Sequence, residues 1–309
     1  MMRLKLLAGM IGVIGLFGAT AVQAHPVKGL PEPKDAALRD SERHALMAFY
    51  EALGGPDWIQ RDFWGSDRPV GEWHGIDTAD GRVIILTIYD NNLIGELSPA
   101  VCQLRRLHTL HLSFNKLSGA LPDKLGECRA LKNLWLKGNK LTGQLPDSIA
   151  ALPALEYLDV HANDLSGPLP STWDTPNLKI FRAEDNQISG PLPEQLLRQP
   201  RLEELFLHNN ALTGRIPDRP SASLRALLLA NNRLSGPIPE ALGKLEKLTD
   251  LRLNRNDLSG AIPASLADAA SLQVLRLDRN RLTGPVPTGL GGRLSVFDVS
   301  GNPGLEASQ

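Results

Sequence analysis

Three side chains that could hold a metal ion or move a proton recur at nearly equal intervals of 23 and 24 residues: His161, Glu184 and His208. Imidazole and carboxylate groups are common zinc ligands and general bases. If the three lie on consecutive strands of a parallel sheet, the histidines are about 9–10 Å apart, since neighbouring strands lie about 4.8 Å apart. That separation is too wide for both to bind one zinc ion at about 2 Å. We therefore expect no metal site and no cofactor.

The sequence offers no other signature of catalysis. It contains no glycine-rich phosphate loop and no nucleophile elbow, and its carboxylates are scattered. The charge is balanced, with 33 Lys and Arg residues against 34 Asp and Glu residues, so no general field would attract nucleic acid. We expect a protein that is not an enzyme and does not bind nucleic acid.

A repeated unit must position these residues. From Val83 onward an asparagine returns every 22–24 residues, at positions 91, 115, 139, 163, 186, 210, 232, 256, 280 and 302. In one clean copy, Leu134-x-Leu136 alternates as a short strand does, and Asn139 follows where the strand turns away. The asparagine amide can bind backbone groups that such a turn leaves unpaired. One repeat cannot bury its leucines alone, so successive repeats must stack.

The pattern L-x-x-L-x-L-x-x-N-x-L-(S/T)-G-x-(I/L)-P resembles the plant-type leucine-rich repeat of 24 residues. Examples are Leu155 to Pro170, Leu202 to Pro217 and Leu248 to Pro263. The segment from Ala45 to Trp58, followed by Trp73 to Ile76, is similar to the cap of receptor-kinase ectodomains and polygalacturonase-inhibiting proteins. The resemblance implies an α/β leucine-rich-repeat solenoid: a curved parallel sheet of about ten repeats with an N-terminal helical, Trp-rich cap.

The chain divides into four segments: a signal peptide at 1–24, a Pro-rich leader at 25–36, the cap at 37–82 and the solenoid at 83–309, whose last repeat is degenerate. In the cap we expect a helix from Asp40 or Ser41 to about Leu53. The signal peptide predicts export to the periplasm or the extracellular space, with no membrane span after cleavage; a retained anchor is the alternative. No N-glycosylation sequon occurs and the family's usual cap cysteines are missing, which favours an exported bacterial protein.

The two cysteines occupy different positions in their repeats. Cys128 takes the position that Leu104 holds one repeat earlier, whereas Cys102 is shifted by two positions. We therefore expect free thiols, with a disulfide in an oxidising compartment as the alternative.

The positions beside the L-x-L leucines form columns across the sheet, because the strands of successive repeats lie side by side. Side chains at these positions are not needed for the core, so their residue types can vary. Aromatic and charged side chains concentrate there, which is typical of a binding hot spot, although cross-strand pairing alone could explain them. The expected partner-binding residues are His111, Trp135, Lys137, Tyr157, Asp159, His161, Arg182, Glu184, Phe206 and His208.

A cluster of arginines near the C-terminal end is a candidate site for an anionic ligand: Arg252, Arg255, Arg276 and Arg279. Like charges this close repel each other unless something offsets them. The alternative is a self-satisfied charged face, in which the offsetting groups are Asp250, Asp278 and Asp298.

Taken together, these features predict a secreted or periplasmic protein that recognises a protein partner through its concave face. The resemblance to polygalacturonase-inhibiting proteins implies a second hypothesis, an inhibitor of a cell-wall hydrolase. A third is a surface protein that binds glycans or mimics a host receptor, for which a polysaccharide would be the ligand. Fold alone does not decide among these functions, and the sequence leaves the oligomeric state open.

Overall fold

A computed structural model describes residues 36–306, with side chains from residue 40 onward. The L-x-L segments form one sheet of eleven strands. Its strands are Ile76–Ala79, Arg82–Thr87, Thr109–His111, Asn133–Trp135, Tyr157–Asp159, Ile180–Arg182, Glu204–Phe206, Ala226–Leu228, Asp250–Arg252, Val274–Arg276 and Val296–Asp298. The first pair is antiparallel and the later pairs are parallel, in chain order. Each repeat therefore adds one strand beside the previous one.

The leucines of the L-x-L segments face the core, as the alternation predicts. Leu134 pairs in register with Leu110 and Leu158, and all three are fully buried. Each repeat thus covers the apolar side chains of its two neighbours, which is how a solenoid obtains its stability. The leucine-rich-repeat solenoid is confirmed, and we call the solvent side of this first sheet the concave face.

A second sheet, of ten strands, follows the asparagine turns and was not predicted. Its strands are Ile94–Glu96, Lys116–Ala120, Lys140–Gly143, Asp164–Pro168, Gln187–Pro191, Ala211–Gly214, Arg233–Gly236, Asp257–Gly260, Arg281–Pro285 and Gly304–Glu306. Gly143, near the end of one of these strands, has a φ of 74°, a left-handed conformation that glycine adopts without the steric penalty of a Cβ. The short L-(S/T)-G stretch is therefore a strand followed by a turn.

Helical turns complete most of the repeats on the side away from the first sheet, whereas the returns that lead to the strands Ile180–Arg182, Ala226–Leu228 and Val296–Asp298 contain none. The α-helical segments are Ala36–Ala52, Glu194–Leu197 and Ser265–Asp268, and the 3-10 turns are Gly55–Asp57, Val70–Glu72, Pro99–Gln103, Asp123–Glu127, Ile149–Ala151 and Glu240–Lys244. Buried leucines such as Leu125 and Leu242 anchor these turns to the core. Within residues 36–306, no helix has the length and hydropathy needed to cross a membrane. The predicted signal peptide and nearly all of the leader lie outside the described residues.

The recurring asparagines bind the backbones of two repeats at once. Asn139 Oδ1 accepts from the Leu117 N–H at 3.0 Å, and its Nδ2 donates to the carbonyls of Leu112 at 3.0 Å and Leu136 at 2.9 Å. Asn163 repeats this arrangement one repeat later. These bonds satisfy backbone groups that the turn would otherwise leave buried and unpaired.

The N-terminal cap is helical and rich in tryptophan, as the family resemblance implies. Within the described residues its helix is Ala36–Ala52, so it already includes residues before the expected start at Asp40 or Ser41, because Ala36 to Arg39 are good helix formers. The side chains of Trp58, Trp64 and Trp73 are buried against it. Glu42, 1% exposed, accepts from Arg82 Nε at 2.8 Å and the Val83 N–H at 3.1 Å, which ties the cap to the first repeat.

The expectation of free thiols is wrong, because Cys102 and Cys128 form a disulfide with their Cα atoms 4.6 Å apart. The prediction rested on the different positions of the two cysteines in the sequence repeat, and these positions do not show which residues meet when the helical turns stack. Cys102 lies in the helical turn Pro99–Gln103, and Cys128 directly follows the turn Asp123–Glu127 of the next repeat. Stacking of these two turns brings residues of unequal repeat position together.

Candidate functional site

The columns expected on the concave face are present. Trp135 pairs in register with His111 on one side and with Asp159 on the other, and Arg182 pairs with Phe206. Tyr157 lies in the preceding column, opposite Asn133 and Ile180. The remaining predicted residues form the column after the second leucine: Lys137, His161, Glu184 and His208. The repeat thus brings all ten predicted partner-binding residues onto one face.

Aromatic rings form a continuous row across four consecutive repeats. The ring centroids of Tyr89 and His111 are 5.2 Å apart, those of His111 and Trp135 are 5.1 Å apart, and those of Trp135 and Tyr157 are 5.3 Å apart. We call these four residues the aromatic row. Tyr89, 57% exposed, was not among the predicted site residues, although its column position and ring could have identified it. The row combines cross-strand ring pairing with solvent-accessible apolar surface.

The centre of the face is ionic and partly buried. Asp159 and Glu184 are each only 2% exposed. Asp159 Oδ1 lies 2.6 Å from His161 Nδ1, and Glu184 Oε1 accepts from Arg182 Nε at 3.0 Å. Glu184 Oε1 is 3.8 Å from His161 Nδ1. The buried carboxylates therefore fix the orientation of His161 and Arg182, and neither side chain rotates freely at the surface.

Phe206 and His208 continue the face on the next strand. The guanidinium of Arg182 lies over the Phe206 ring, 5.1 Å from its centroid. Two buried atoms here have no hydrogen-bond partner within the described part of the chain, His208 Nδ1 and Glu184 Oε2. Among residues 36–306, no group of three or more His, Cys, Asp or Glu side chains has a geometry that could hold a metal ion. The arrangement supports recognition by contact.

Acid should destabilise the protein through its half-buried histidines. Burial lowers the pKa of His208 below its ordinary value of 6.5, and burial followed by the charge of Lys137 lowers the pKa of His111. Below the ordinary pKa, the unfolded chain therefore binds protons that the folded protein does not, so stability falls as the pH drops from neutrality through the lowered pKa values. His208→Gln should reduce this pH dependence, as measured by urea unfolding at neutral and mildly acidic pH. An unchanged pH dependence in the variant would contradict the assignment.

The structure divides the arginine cluster in two. Arg252 binds Asp250 at 2.9 Å, and Arg276 lies 3.2 Å from Asp278 and 3.4 Å from Asp298. These two arginines form the self-satisfied charged face that was the alternative. The other two are exposed, and neither has an ion pair with a described residue: Arg255 and Arg279. An anionic ligand would meet these two first.

The family comparison agrees with the geometry. A family model described as leucine rich repeat matches residues 105–165 and 222–282, and a second leucine-rich-repeat model matches residues 201–221. No curated protein sequence matches the chain. The chain contains leucine-rich repeats, as its own periodicity predicts.

Several solved structures are similar. The plant peptide hormone receptor RGFR1 in complex with RGF2 is 31% identical with a TM-score of 0.66, covering 68% of this chain and 35% of that chain. The Arabidopsis receptor kinase HAESA, in complex with the peptide hormone IDA and the co-receptor SERK1, is 30% identical with a TM-score of 0.64. The match covers 69% of this chain and 41% of that chain. A plant ice-binding protein is 28% identical with a TM-score of 0.68, and the match covers 87% of this chain and 96% of that chain. The chain thus spans less than half of the two receptor chains and nearly all of the ice-binding protein.

Proposed function

We propose that this protein binds a protein or peptide partner on its concave face, with Trp135, Tyr157 and Phe206 as apolar anchors. The observation that carries the proposal is the aromatic row, with Phe206 two strands beyond Tyr157 and in contact with Arg182. This arrangement places large, partly exposed rings among oriented charges. Such a mixture is typical of binding hot spots. The similar receptor structures that contain peptide hormones support a ligand of this class.

The size of the face suits an extended peptide. The strands from Arg82–Thr87 to Val274–Arg276 span eight strand intervals, or about 38 Å at about 4.8 Å each. An extended chain advances about 3.3 Å per residue, so roughly twelve residues would cross the face. The face has aromatic anchors near one end, oriented charges at the centre and arginines near the other end. This asymmetry would favour one orientation of the bound peptide.

We further propose that the protein acts outside the cytoplasm, after cleavage of the signal peptide predicted at 1–24. The disulfide between Cys102 and Cys128 supports this location, because disulfides persist mainly in oxidising compartments such as the periplasm and the extracellular space. Export from a bacterium is the proposed origin.

Removal of two anchors should abolish partner recognition. Peptides of twelve random residues displayed on phage would be selected on the purified protein, and the affinity of the selected peptides measured by fluorescence anisotropy. Trp135→Ala/Phe206→Ala should weaken their binding by about 1,000-fold, since two hot-spot side chains contribute about 2 kcal/mol or more each and every 1.4 kcal/mol is tenfold.

The matched control is Glu194→Ala/Arg198→Ala, which alters an exposed ion pair outside the first sheet and should leave binding unchanged. Circular dichroism would verify that both variants fold. Equal affinity of the anchor variant and the wild-type protein would remove the concave aromatic residues from the binding site.

The alternatives predicted from the sequence differ in their chemistry. A hydrolase inhibitor would also be a protein binder, and inhibition of a purified polygalacturonase would identify it. A polyuronate ligand would instead depend on Arg255 and Arg279, and its binding would weaken steeply with salt. Arg255→Ala/Arg279→Ala therefore separates a polysaccharide ligand from a peptide held by the aromatic row.

Ice binding is a second candidate function, supported by the similar plant ice-binding protein and by a hydroxyl on each of eight consecutive strands of the second sheet. These hydroxyls are Ser118, Thr142, Ser166, Ser189, Thr213, Ser235, Ser259 and Thr283. Charged residues interrupt the series, since Lys140 pairs with Ser118 and Asp164 pairs with Thr142. The concave face is for that reason the stronger candidate.

Ice binding can be tested directly by the size of ice crystals during annealing. If the second sheet binds ice, the purified protein should suppress recrystallisation, and Thr142→Lys/Thr213→Lys should not. Wild-type protein that leaves crystal growth unchanged would eliminate this candidate.

A further inference from the structure

Exposed apolar side chains concentrate near the N-terminal cap. Among residues 40–306, six large apolar side chains are strongly exposed, and five of them fall between residues 59 and 114: Ile59, Phe63, Tyr89, Ile94 and Phe114. Ile59 is the most exposed, at 70%. Single exposed apolar residues are ordinary on a protein surface, but a concentration in one region marks an interaction site.

Backbone contacts place three of these residues on adjoining segments. The Ile59 N–H donates to the Asn91 carbonyl at 3.3 Å, and the Gln60 N–H donates to Asn91 Oδ1 at 2.6 Å. The cap loop therefore lies against the first repeat, directly beside Tyr89. Phe114 occupies the position in its repeat that Asp90 occupies in the repeat before, and both have left-handed φ angles.

A cavity of about 420 Å³ opens in this region, and its lining includes Gln60, His74, Asp77, Thr87, Tyr89 and Asp90. Gly75 also lines it, where the chain lies close against the neighbouring strand. A Cβ on Gly75 would come within 2.2 Å of the Thr87 carbonyl oxygen, and its φ of 77° also disfavours a side chain. We call Ile59, Asp77, Tyr89, Asp90 and Phe114 the cap patch.

The cap patch lies in an acidic part of the chain. Residues 55–96 contain eight Asp and Glu residues against three arginines, a net charge of −5, although the whole chain carries −1. Two of the arginines are bound elsewhere, Arg82 to Glu42 and Arg68 to Glu72. Neither Asp77 nor Asp90 has an ion pair with any residue of the described chain. The cavity therefore presents two uncompensated carboxylates beside an exposed tyrosine ring.

We propose that the cap patch binds a basic, apolar segment of a partner protein, with one Lys or Arg side chain entering the cavity. A cation there would meet the carboxylates of Asp77 and Asp90 and the ring of Tyr89, and both groups attract cations. Apolar side chains flanking that residue would cover Ile59 and the exposed part of the Phe114 ring, whose centroid lies 4.8 Å from Lys137 Nζ. The cap patch shares Tyr89 with the aromatic row but contains none of the anchors Trp135, Tyr157 and Phe206, so its binding can be tested separately from the function proposed for the concave face.

The test uses a fluorescein-labelled peptide of alternating lysine and leucine, titrated against the full chain at low salt. We expect binding that weakens as salt rises, and no binding of a glutamate–leucine peptide. Asp77→Asn/Asp90→Asn keeps the shape of the cavity and should weaken binding by about tenfold. Ile59→Ser/Phe114→Ser should weaken it through the apolar contacts alone, with the salt dependence retained.

Two matched controls make the result specific. Asp147→Asn/Asp174→Asn removes two exposed carboxylates elsewhere in the chain and should leave the affinity unchanged. Trp135→Ala/Phe206→Ala should also leave it unchanged, whereas that variant loses the peptides selected on the concave face. The proposal is overturned if the lysine–leucine peptide does not bind, or if it binds wild type and Asp77→Asn/Asp90→Asn equally.

Discussion

Leu205→Ala is expected to lower the free energy of unfolding by about 2–5 kcal/mol. Leu205 is fully buried in a central strand of the first sheet, where it pairs in register with Phe181 and Leu227. Truncation leaves a cavity that the residues of both neighbouring repeats line. Because stability in a solenoid comes mainly from contacts between neighbours, two interfaces weaken together. Urea unfolding followed by circular dichroism measures the loss.

Leu228→Ala provides the comparison for this prediction. The residue type and the substitution are the same, but Leu228 is half-buried on the concave face rather than enclosed in the core. The free energy of unfolding of Leu228→Ala should fall by about 1 kcal/mol or less, since little apolar area becomes exposed and no cavity forms. Equal losses in the two variants would show that the assignment of inward and outward positions is wrong.

Asn163→Ala should be at least as damaging, with an expected loss of about 3–5 kcal/mol. Asn163 Nδ2 donates to the carbonyls of Leu136 at 3.1 Å and Val160 at 3.0 Å, and Oδ1 accepts from the Leu141 N–H at 3.0 Å. Alanine leaves the buried Leu141 N–H without a partner, which costs about 1–3 kcal/mol. Each carbonyl keeps one donor, from Asn139 and Asn186 respectively, so the two lost bonds add about 0.5–1.5 kcal/mol each. The side chain is small, so the loss reports hydrogen bonding rather than packing.

Asn133→Ala is the matched control for the asparagine series. Asn133 is half-buried on the concave face, and its Nδ2 donates to Thr109 Oγ1 at 3.1 Å, a partner that water can replace. We expect its loss to stay below about 1 kcal/mol. A comparable loss at both positions would mean that the repeated asparagines are no more important to the fold than any surface amide.

Much of this architecture is predictable because ten asparagines follow one another at nearly the same spacing. The 22–24-residue interval aligns Trp135 with His111 and with Asp159 before any coordinates are known, and the structure pairs them so. The buried Trp58, Trp64 and Trp73 also agree with a cap. Periodicity succeeds here because each repeat has the same neighbours, so one local rule determines every strand.

The repeat spacing could not predict the features that depend on side-chain packing between repeats. The disulfide depends on how two helical turns stack, which the linear positions of Cys102 and Cys128 do not reveal. The burial of Asp159 and Glu184 depends on the side chains around them, since a column position alone only brings a residue to the face. The register likewise says nothing of the ring stacking that makes Tyr89 part of the aromatic row.

The disulfide also makes the two ends of the solenoid unequal. It joins adjacent repeats next to the helical cap, so the first repeats are held covalently and by a tryptophan-rich core. The repeats beyond Cys128 are held to one another only by noncovalent contacts among the described residues. On heating, the last repeats should therefore unfold locally before those next to the cap. Backbone amides should exchange with deuterium fastest in the last repeats and progressively more slowly toward the cap. The binding face would then carry a rigid end and a compliant end.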